Sequence, residues 1–335
     1  MDTVNHQIRL AARPVGLPKD SDWDFTEEPV NDPGDGEVVV KIDYVSLDPA
    51  MRGWMNDARS YIAPVEIGAV MRAGAAGEVV VSNFDGLNPG DHVSGMLGAQ
   101  EYATVQGNGL TKVDPDVAAL PVWLNTLGMP GMTAYFGLFD IGQPQEGETV
   151  VVSGAAGAVG GLVGQMAKIK GCRAIGIAGG PDKCRHVVEE LGFDACVDYK
   201  SENVMAALHQ HCPDGIDVYF DNVGGEILDA ALALLARHAR VVICGAISQY
   251  NATDGMRGPS NYMSLLVNHA SMTGFVIFDY LDRVAEGAKE MGGWLAAGKL
   301  KTIEDVATGG IDKFPDTLLR LFRGENLGKL VLEVS

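Results

Sequence analysis

Gly154, Gly157, Gly160, Gly161 and Gly164 all fall within "SGAAGAVGGLVG", directly after the apolar run "TVVV". Glycines at a strand-to-helix junction make a tight turn, admit a phosphate close to the backbone, and let helix and strand pack closely. Amide groups at the helix start then face a pyrophosphate. The window that matches GxGxxG is "AAGAVG", with Ala155 in place of the first glycine. A packing turn without a ligand is the alternative reading. The next strand, "CRAIGIA", ends in Gly179 and Gly180. NAD sites place Asp or Glu about 20 residues after the loop to bind the ribose 2′-hydroxyl. Here no carboxylate stands at that tip, and Lys183 and Arg185 follow just beyond. Cationic side chains suit a 2′-phosphate, so the pattern predicts NADP. Asp182 is the counter-argument, and it reads better as a first-turn helix residue.

A catalytic zinc needs three protein ligands and an open position. The first 171 residues contain no cysteine and only His6 and His92. No zinc site is expected. His209, His211 and Cys212 read as a surface cluster at a helix end.

The elements that must carry these residues differ between the two halves. "EVVVKIDYVSLD", "AAGEVVVS", "QEYATV" and "LTKVD" are short apolar runs between Gly, Pro, Asn and Asp turns. They predict an antiparallel β-rich domain or partial barrel. "LPVWLNTLGMPGMTAYFGLFDIG" reads as helical. From Glu148 strands and helices alternate. The strands are residues 149–153, "CRAIGIA", "ACVDY", "DVYFDNV" and "RVVICGAI", with a sixth over 271–278. Between them are helices near 160–170, in "PDKCRHVVEELG", near 202–211 and through "GGEILDAALALLARHA". A helix near 279–297 and a strand "GKLVLEV" finish the chain. Apolar strands alternating with helices predict an α/β fold with a parallel sheet covered on both faces.

The chain has 335 residues, 47% of them hydrophobic, and a net charge of −19. With no basic run to offset that charge, nucleic acid is not an expected partner. No run of about 18 apolar residues is present, so no membrane span is expected. The N-terminus lacks a signal-peptide pattern, and a cytoplasmic protein is expected. Five scattered cysteines fit reduced thiols rather than a disulfide framework.

Taken in order, "SLDPAMRG", "GETVVVSGAAGAVG", "GGPDKCR", "VDYKSE", "YFDNVGGEILD", "CGAISQYN" and "FRGENLGKLV" resemble the medium-chain dehydrogenase/reductase superfamily. More narrowly they resemble its zinc-independent leukotriene/prostaglandin reductase and plant-type double-bond reductase branch, with the bacterial curcumin-reductase-like enzymes. The resemblance implies a GroES-like catalytic domain over 1–125, a Rossmann doubly wound domain over 126–300, and a segment over 301–335 returning to the first. It implies NADPH-dependent reduction of the carbon–carbon double bond of α,β-unsaturated ketones and aldehydes, without a metal. It also implies a homodimer through the sixth strand.

Carried over motif by motif, Ala155, Ala156, Gly157, Ala158, Val159 and Gly160 would cradle the pyrophosphate. Lys183 and Tyr199 would flank the 2′-phosphate, and Asn222 the ribose. Cys244, Gly245, Ala246, Ile247, Ser248 and Gln249 would line the path to the nicotinamide. Phe275, Val276 and Ile277 would back its amide, and Asn326 would reach the cofactor. Tyr250 is the candidate catalytic donor to an enolate oxygen, or else a residue ordering the ribose. The branch reads D-P-Y-M-R-G where this chain has Ala50, so the substrate pocket would be wider there. Tyr262 is a second pocket candidate. Arg52 is either a cofactor-side or a structural charge, and buried packing is expected for Trp54 and Met55. A quinone reductase of the same superfamily and a non-enzymatic nucleotide-binding protein are the rival readings.

Overall fold

The computed structural model describes residues 3–334, which form two compact units. The first holds the chain through Asn125 together with the residues from Glu304 onward. It opens with an antiparallel pair, β1 (Val4–Leu10) and β2 (Trp23–Pro29). β3 (Glu37–Ser46) follows, then the single turn α1 (Met51–Trp54). β4 (Gly74–Ser82), β5 (His92–Met96), β6 (Tyr102–Gln106), β7 (Thr111–Val113) and the short α2 (Leu120–Trp123) complete this part.

The second unit, Thr126–Ile303, starts with α3 (Met129–Phe136) and a π-turn over Gly137–Gly142. Its sheet alternates with helices: β8 (Thr149–Ser153), α4 (Ala158–Ile169), β9 (Arg173–Ala178), α5 (Pro181–Glu189), β10 (Ala195–Asp198) and α6 (Val204–His211). β11 (Ile216–Asp221), α7 (Gly225–Leu232), β12 (Leu235–Ile243), α8 (Met263–Val267), β13 (Ser271–Gly274) and α9 (Val284–Ala296) follow. The strands pair in parallel in the order β10-β9-β8-β11-β12-β13. Connections leave β8 toward β9 on one side and re-enter at β11 on the other. That reversal is the switch point where open α/β sheets bind ligands, beyond the strands' carboxyl ends.

The chain then returns to the first unit as β14 (Glu304–Ala307), α10 (Phe314–Arg323) and β15 (Lys329–Glu333). The sheet there runs β14-β15-β3-β4-β5-β7, with β6 also on β3. β3 is long enough to pair with β6 through Glu37–Lys41 and with β15 through Tyr44–Ser46. Val38, Val40, Ile42 and Val45 of β3 join Phe314, Leu318 and Leu321 of α10 in one core. Lys329 is buried, and its Nζ donates to the Leu47 carbonyl at 2.8 Å and to Asp48 at 2.6 Å. The "SLDPAMRG" segment is thereby tied to β15.

Several elements differ from the sequence expectation. The helix expected over 120–142 is broken into α2, α3 and the π-turn, because Gly128 is extended and Pro130 lies in the first turn of a new helix. α4 begins at Ala158, two residues before the expected Gly160. Residues 235–239, expected as helix, form the start of β12, where parallel pairing with Ile216 and burial of Leu235 and Ala239 outweigh helix propensity. The sixth strand stops at Gly274, the last residue paired with β12, and 277–283 turns into a 3-10 helix. Cys212 is buried in the core against Leu208 and Ile216 rather than lying in a surface cluster. β1, β2, β14 and α10 are elements the sequence reading did not place.

Candidate functional site

The turn after β8 places its one left-handed residue at Gly154, with φ +63°. Ala155, one position later, needs no such freedom, and its amide donates to the Ile177 carbonyl at 3.1 Å. This is why alanine is tolerated at the position usually held by the first glycine. Gly157 caps α4. A side chain at Gly160 would sit 2.3 Å from the Gly154 carbonyl oxygen. Glycines three residues apart therefore make the turn, open the helix and close-pack it, leaving the first amides of a 12-residue helix facing out of the loop. Those amides and the small residues 155–160 fit a dinucleotide pyrophosphate.

A buried polar network fixes this loop against the end of β11. Ser153 Oγ donates to Asp221 at 2.9 Å and accepts the Asn222 amide at 2.9 Å. The Asn222 side-chain amide donates to the Ser153 carbonyl at 2.7 Å. Asp221 also accepts from the Tyr219 hydroxyl and from the amides of Val223 and Gly224. Burial nevertheless pushes the Asp221 carboxyl above its ordinary range, and the four donors only partly offset that. Neither Ser153 nor Asp221 was singled out from the sequence; their signal is a polar residue closing each of two near-continuous apolar strands.

The segment after β12 is stitched along the same edge. The amides of Cys244 and Gly245 donate to the Asp221 carbonyl, Ile247 to Asn222, and Ser248 to Val223. Gln249 closes a turn on Ala246. The Tyr250 hydroxyl accepts the Ala246 amide at 3.1 Å. Accepting that bond uses an oxygen lone pair and not the O–H proton. Burial raises the Cys244 thiol to about 12, so it stays protonated at neutral pH.

At the tip of β9, Gly180 is left-handed (φ +97°) and donates its amide to Asp198 at 2.7 Å. That bond holds the Asp198 carboxyl below its ordinary range. Any side chain on Gly179 would strike the Tyr199 ring at 2.8 Å, so the ring lies flush on this turn. Lys183 stands in the first turn of α5. Arg185 is engaged by Asp182 at 2.6 Å in an exposed pair.

Residues 155–160, Lys183, Tyr199, Asn222 and 244–250 thus lie at the carboxyl ends of β8 to β12. Phe275 follows β13, with its ring turned inward against Phe220 and over Gly137, and Val276 and Ile277 lead into the 3-10 helix. Tyr262 is exposed at the start of α8, where Asn261 anchors its segment to Asp229 of α7. Ala50 and Asn326 belong to the first unit. Ala50 packs beside the core, and the Asn326 side chain donates to the Gly328 carbonyl. Arg52 is a structural charge: buried, it donates to the carbonyls of Pro14 and Gly16. Trp54 and Met55 are core residues. A separate cavity of about 640 Å³, lined by Tyr135, Phe139, Pro144, Lys170, Glu290 and Trp294, lies at the opposite, amino ends of the strands.

Residues 6–113 match the family described as "N-terminal domain of oxidoreductase", and residues 158–291 the one described as "Zinc-binding dehydrogenase". The donor set does not fit the metal in that second description. Among the described residues no group of three or more His, Cys, Asp or Glu side chains is placed to hold an ion. The chain is 44% identical to the NADPH-dependent curcumin reductase of Escherichia coli (strain K12), over 99% of this chain and 97% of that one. It is 39% identical to the NADP(+)-dependent 2-alkenal reductase of Nicotiana tabacum, over 100% and 98%. The crystal structure of CurA from Vibrio vulnificus in complex with NADPH superposes with a TM-score of 0.93 at 43% identity, covering 98% of this chain and 99% of that one. With likeness of this extent along its whole length, the chain belongs to the zinc-independent reductase branch of the medium-chain dehydrogenase/reductase superfamily.

Proposed function

We propose that the protein is an NADPH-dependent reductase of the carbon–carbon double bond of α,β-unsaturated ketones and aldehydes. Full-length similarity to a curcumin reductase and a 2-alkenal reductase carries this reading. The glycine turn at Gly154, Gly157 and Gly160, buttressed by Ser153 and Asp221, supports nucleotide binding at the head of β8. The reduced nicotinamide supplies the hydride, which an enone accepts at its β-carbon. Negative charge then develops on the carbonyl oxygen, and a hydrogen-bond donor must meet it. Tyr250 is assigned that role, directly or by orienting a ribose hydroxyl, with the Ala246 amide fixing its oxygen. Lys183 and Tyr199 select the 2′-phosphate. Within the second unit, residues 244–249 and 275–277, with Asn222, complete the cofactor set, and Tyr262 bounds the substrate there.

The test is a substrate panel followed by nicotinamide absorbance and product analysis. Saturated ketones and aldehydes from enones, with NADPH far better than NADH, are expected. Turnover of quinones alone would make it a quinone reductase, and no oxidation of NADPH with any acceptor would end the enzymatic reading.

We also infer a homodimer in the cytoplasm. β13 is an exposed sheet edge, and Tyr262, Met263, Leu266, Val267 and Met272 form exposed apolar surface beside it. Among the described residues no helix is long and apolar enough to cross a membrane. Sedimentation at micromolar concentration should give twice the chain mass; a monomer there refutes the dimer.

A further inference from the structure

Cys184 and Cys196 bring their sulfur atoms to 3.1 Å. Cys184 stands in the first turn of α5, beside Lys183, and Cys196 lies in β10 opposite Gly176 of β9. Both are partly accessible, whereas Cys172 and Cys212 are buried. A disulfide needs about 2.05 Å between sulfurs, so closing the bond asks for a movement of roughly 1 Å. α5 packs directly on β10, and nothing intervenes between the two thiols.

The pair sits against the nucleotide loop. A side chain at Gly176 would meet Ala155 Cβ at 2.9 Å, Val187 at 2.9 Å and Cys196 Sγ at 3.3 Å, so the thiols share a seam with the first residue of the cradle. The turn between the two elements is already tied once, by the Gly180 amide to Asp198. A second tie would fix the start of α5, which carries Lys183, to the start of β10, the strand that leads to Tyr199.

We propose that Cys184 and Cys196 are a reversible modification site, oxidised by hydroperoxides to a disulfide that weakens NADPH binding. The second half of the statement rests on the nucleotide site assigned above; the first does not. In the reaction the Cys184 thiolate attacks a peroxide oxygen, the O–O bond breaks, and hydroxide leaves and takes up the thiol proton as water. The resulting sulfenic sulfur is attacked by Cys196, the S–S bond forms, and a second water leaves. Two thiols are oxidised and one hydrogen peroxide is reduced to two waters. Burial raises both thiols above their ordinary range, so thiolate is scarce at neutral pH and the reaction with peroxide is slow. By linkage, a disulfide that disfavours the nucleotide is itself disfavoured when the nucleotide is bound.

The experiment treats the full chain with hydrogen peroxide, blocks remaining thiols under denaturing conditions, and maps peptides by mass spectrometry before and after dithiothreitol. Expected is a Cys184–Cys196 peptide lighter by two hydrogens, reversed by the reductant, with Cys172, Cys212 and Cys244 still alkylated. Cys184→Ser and Cys196→Ser should each lose that species and keep the other thiols titratable. NADPH affinity, read by nucleotide fluorescence, should fall about fivefold on oxidation of the wild type and not in either variant. Slower linkage in saturating NADP⁺ is expected as well. Retention of all five alkylatable thiols, or irreversible oxidation of Cys184 without a link, overturns the proposal. Linkage with unchanged affinity overturns its coupling to the nucleotide. A protein that binds NADPH in neither state defeats the nucleotide assignment instead, while the peptide map still decides the disulfide.

Discussion

At the scale of single residues, the roles proposed above divide into cofactor recognition and hydrogen-bond donation to the substrate. Lys183→Ala should raise the NADPH dissociation constant about 10- to 100-fold, the loss of one charge-assisted hydrogen bond of about 1.5–3 kcal/mol. NADH affinity should not move, and titration with both nucleotides reads the difference. Tyr250→Phe should lower kcat about 10²- to 10³-fold, as loss of an oxyanion donor does, with NADPH affinity nearly unchanged. Single-turnover rates with an enone check this; equal losses in binding and turnover would mark Tyr250 as a loop-holding residue through its bond to the Ala246 amide. The placement of these candidates was legible because their signals are local: glycines in a turn, a lysine past a strand tip. What was not legible is where hydroxyls point. Nothing in "CGAISQYN" says that the tyrosine oxygen turns back onto its own loop, nor that Ser153 and Asp221, 68 residues apart, meet.

At the scale of elements, the glycine loop works because helix α4 and strand β8 nearly touch. Gly160→Ala places a methyl 2.3 Å from the Gly154 carbonyl oxygen. Backbone cannot yield as a flexible side chain does, so a loss of about 1–3 kcal/mol of stability is expected, together with loss of nucleotide binding. Thermal melts and fluorescence titration measure the two separately. The alternating elements of the second unit were readable from runs such as Val150–Val152, buried on both faces. Leu235–Ala239 misled because its strand character comes from β11 beside it, a neighbour not visible in a local window. α10 carried its own signals, Pro315 in the first turn and Gly324 left-handed past the end, but only burial in the core shared with β3 and β15 explains why Phe314, Leu318 and Leu321 are apolar.

At the scale of the whole molecule, the first unit is built from both ends of the chain. Lys329→Met should cost about 3–5 kcal/mol, because it leaves Asp48 without its buried partner; chemical denaturation of the wild type and variant gives the value. The same feature sets an order of assembly. Lys329 and Leu47 meet across 282 residues of chain. During synthesis the edge of β3 over Tyr44–Ser46 therefore waits, unpaired, while the whole second unit is made. That unit, Thr126–Ile303, has its own sheet and core and can be complete before β15 emerges. A fragment of residues 126–303 should accordingly melt cooperatively on its own, and one of residues 3–125 should not, by circular dichroism. For a growing chain this makes the second unit an early product and the first a late one. The nascent protein spends that interval with an open strand edge, the period in which it most needs a chaperone.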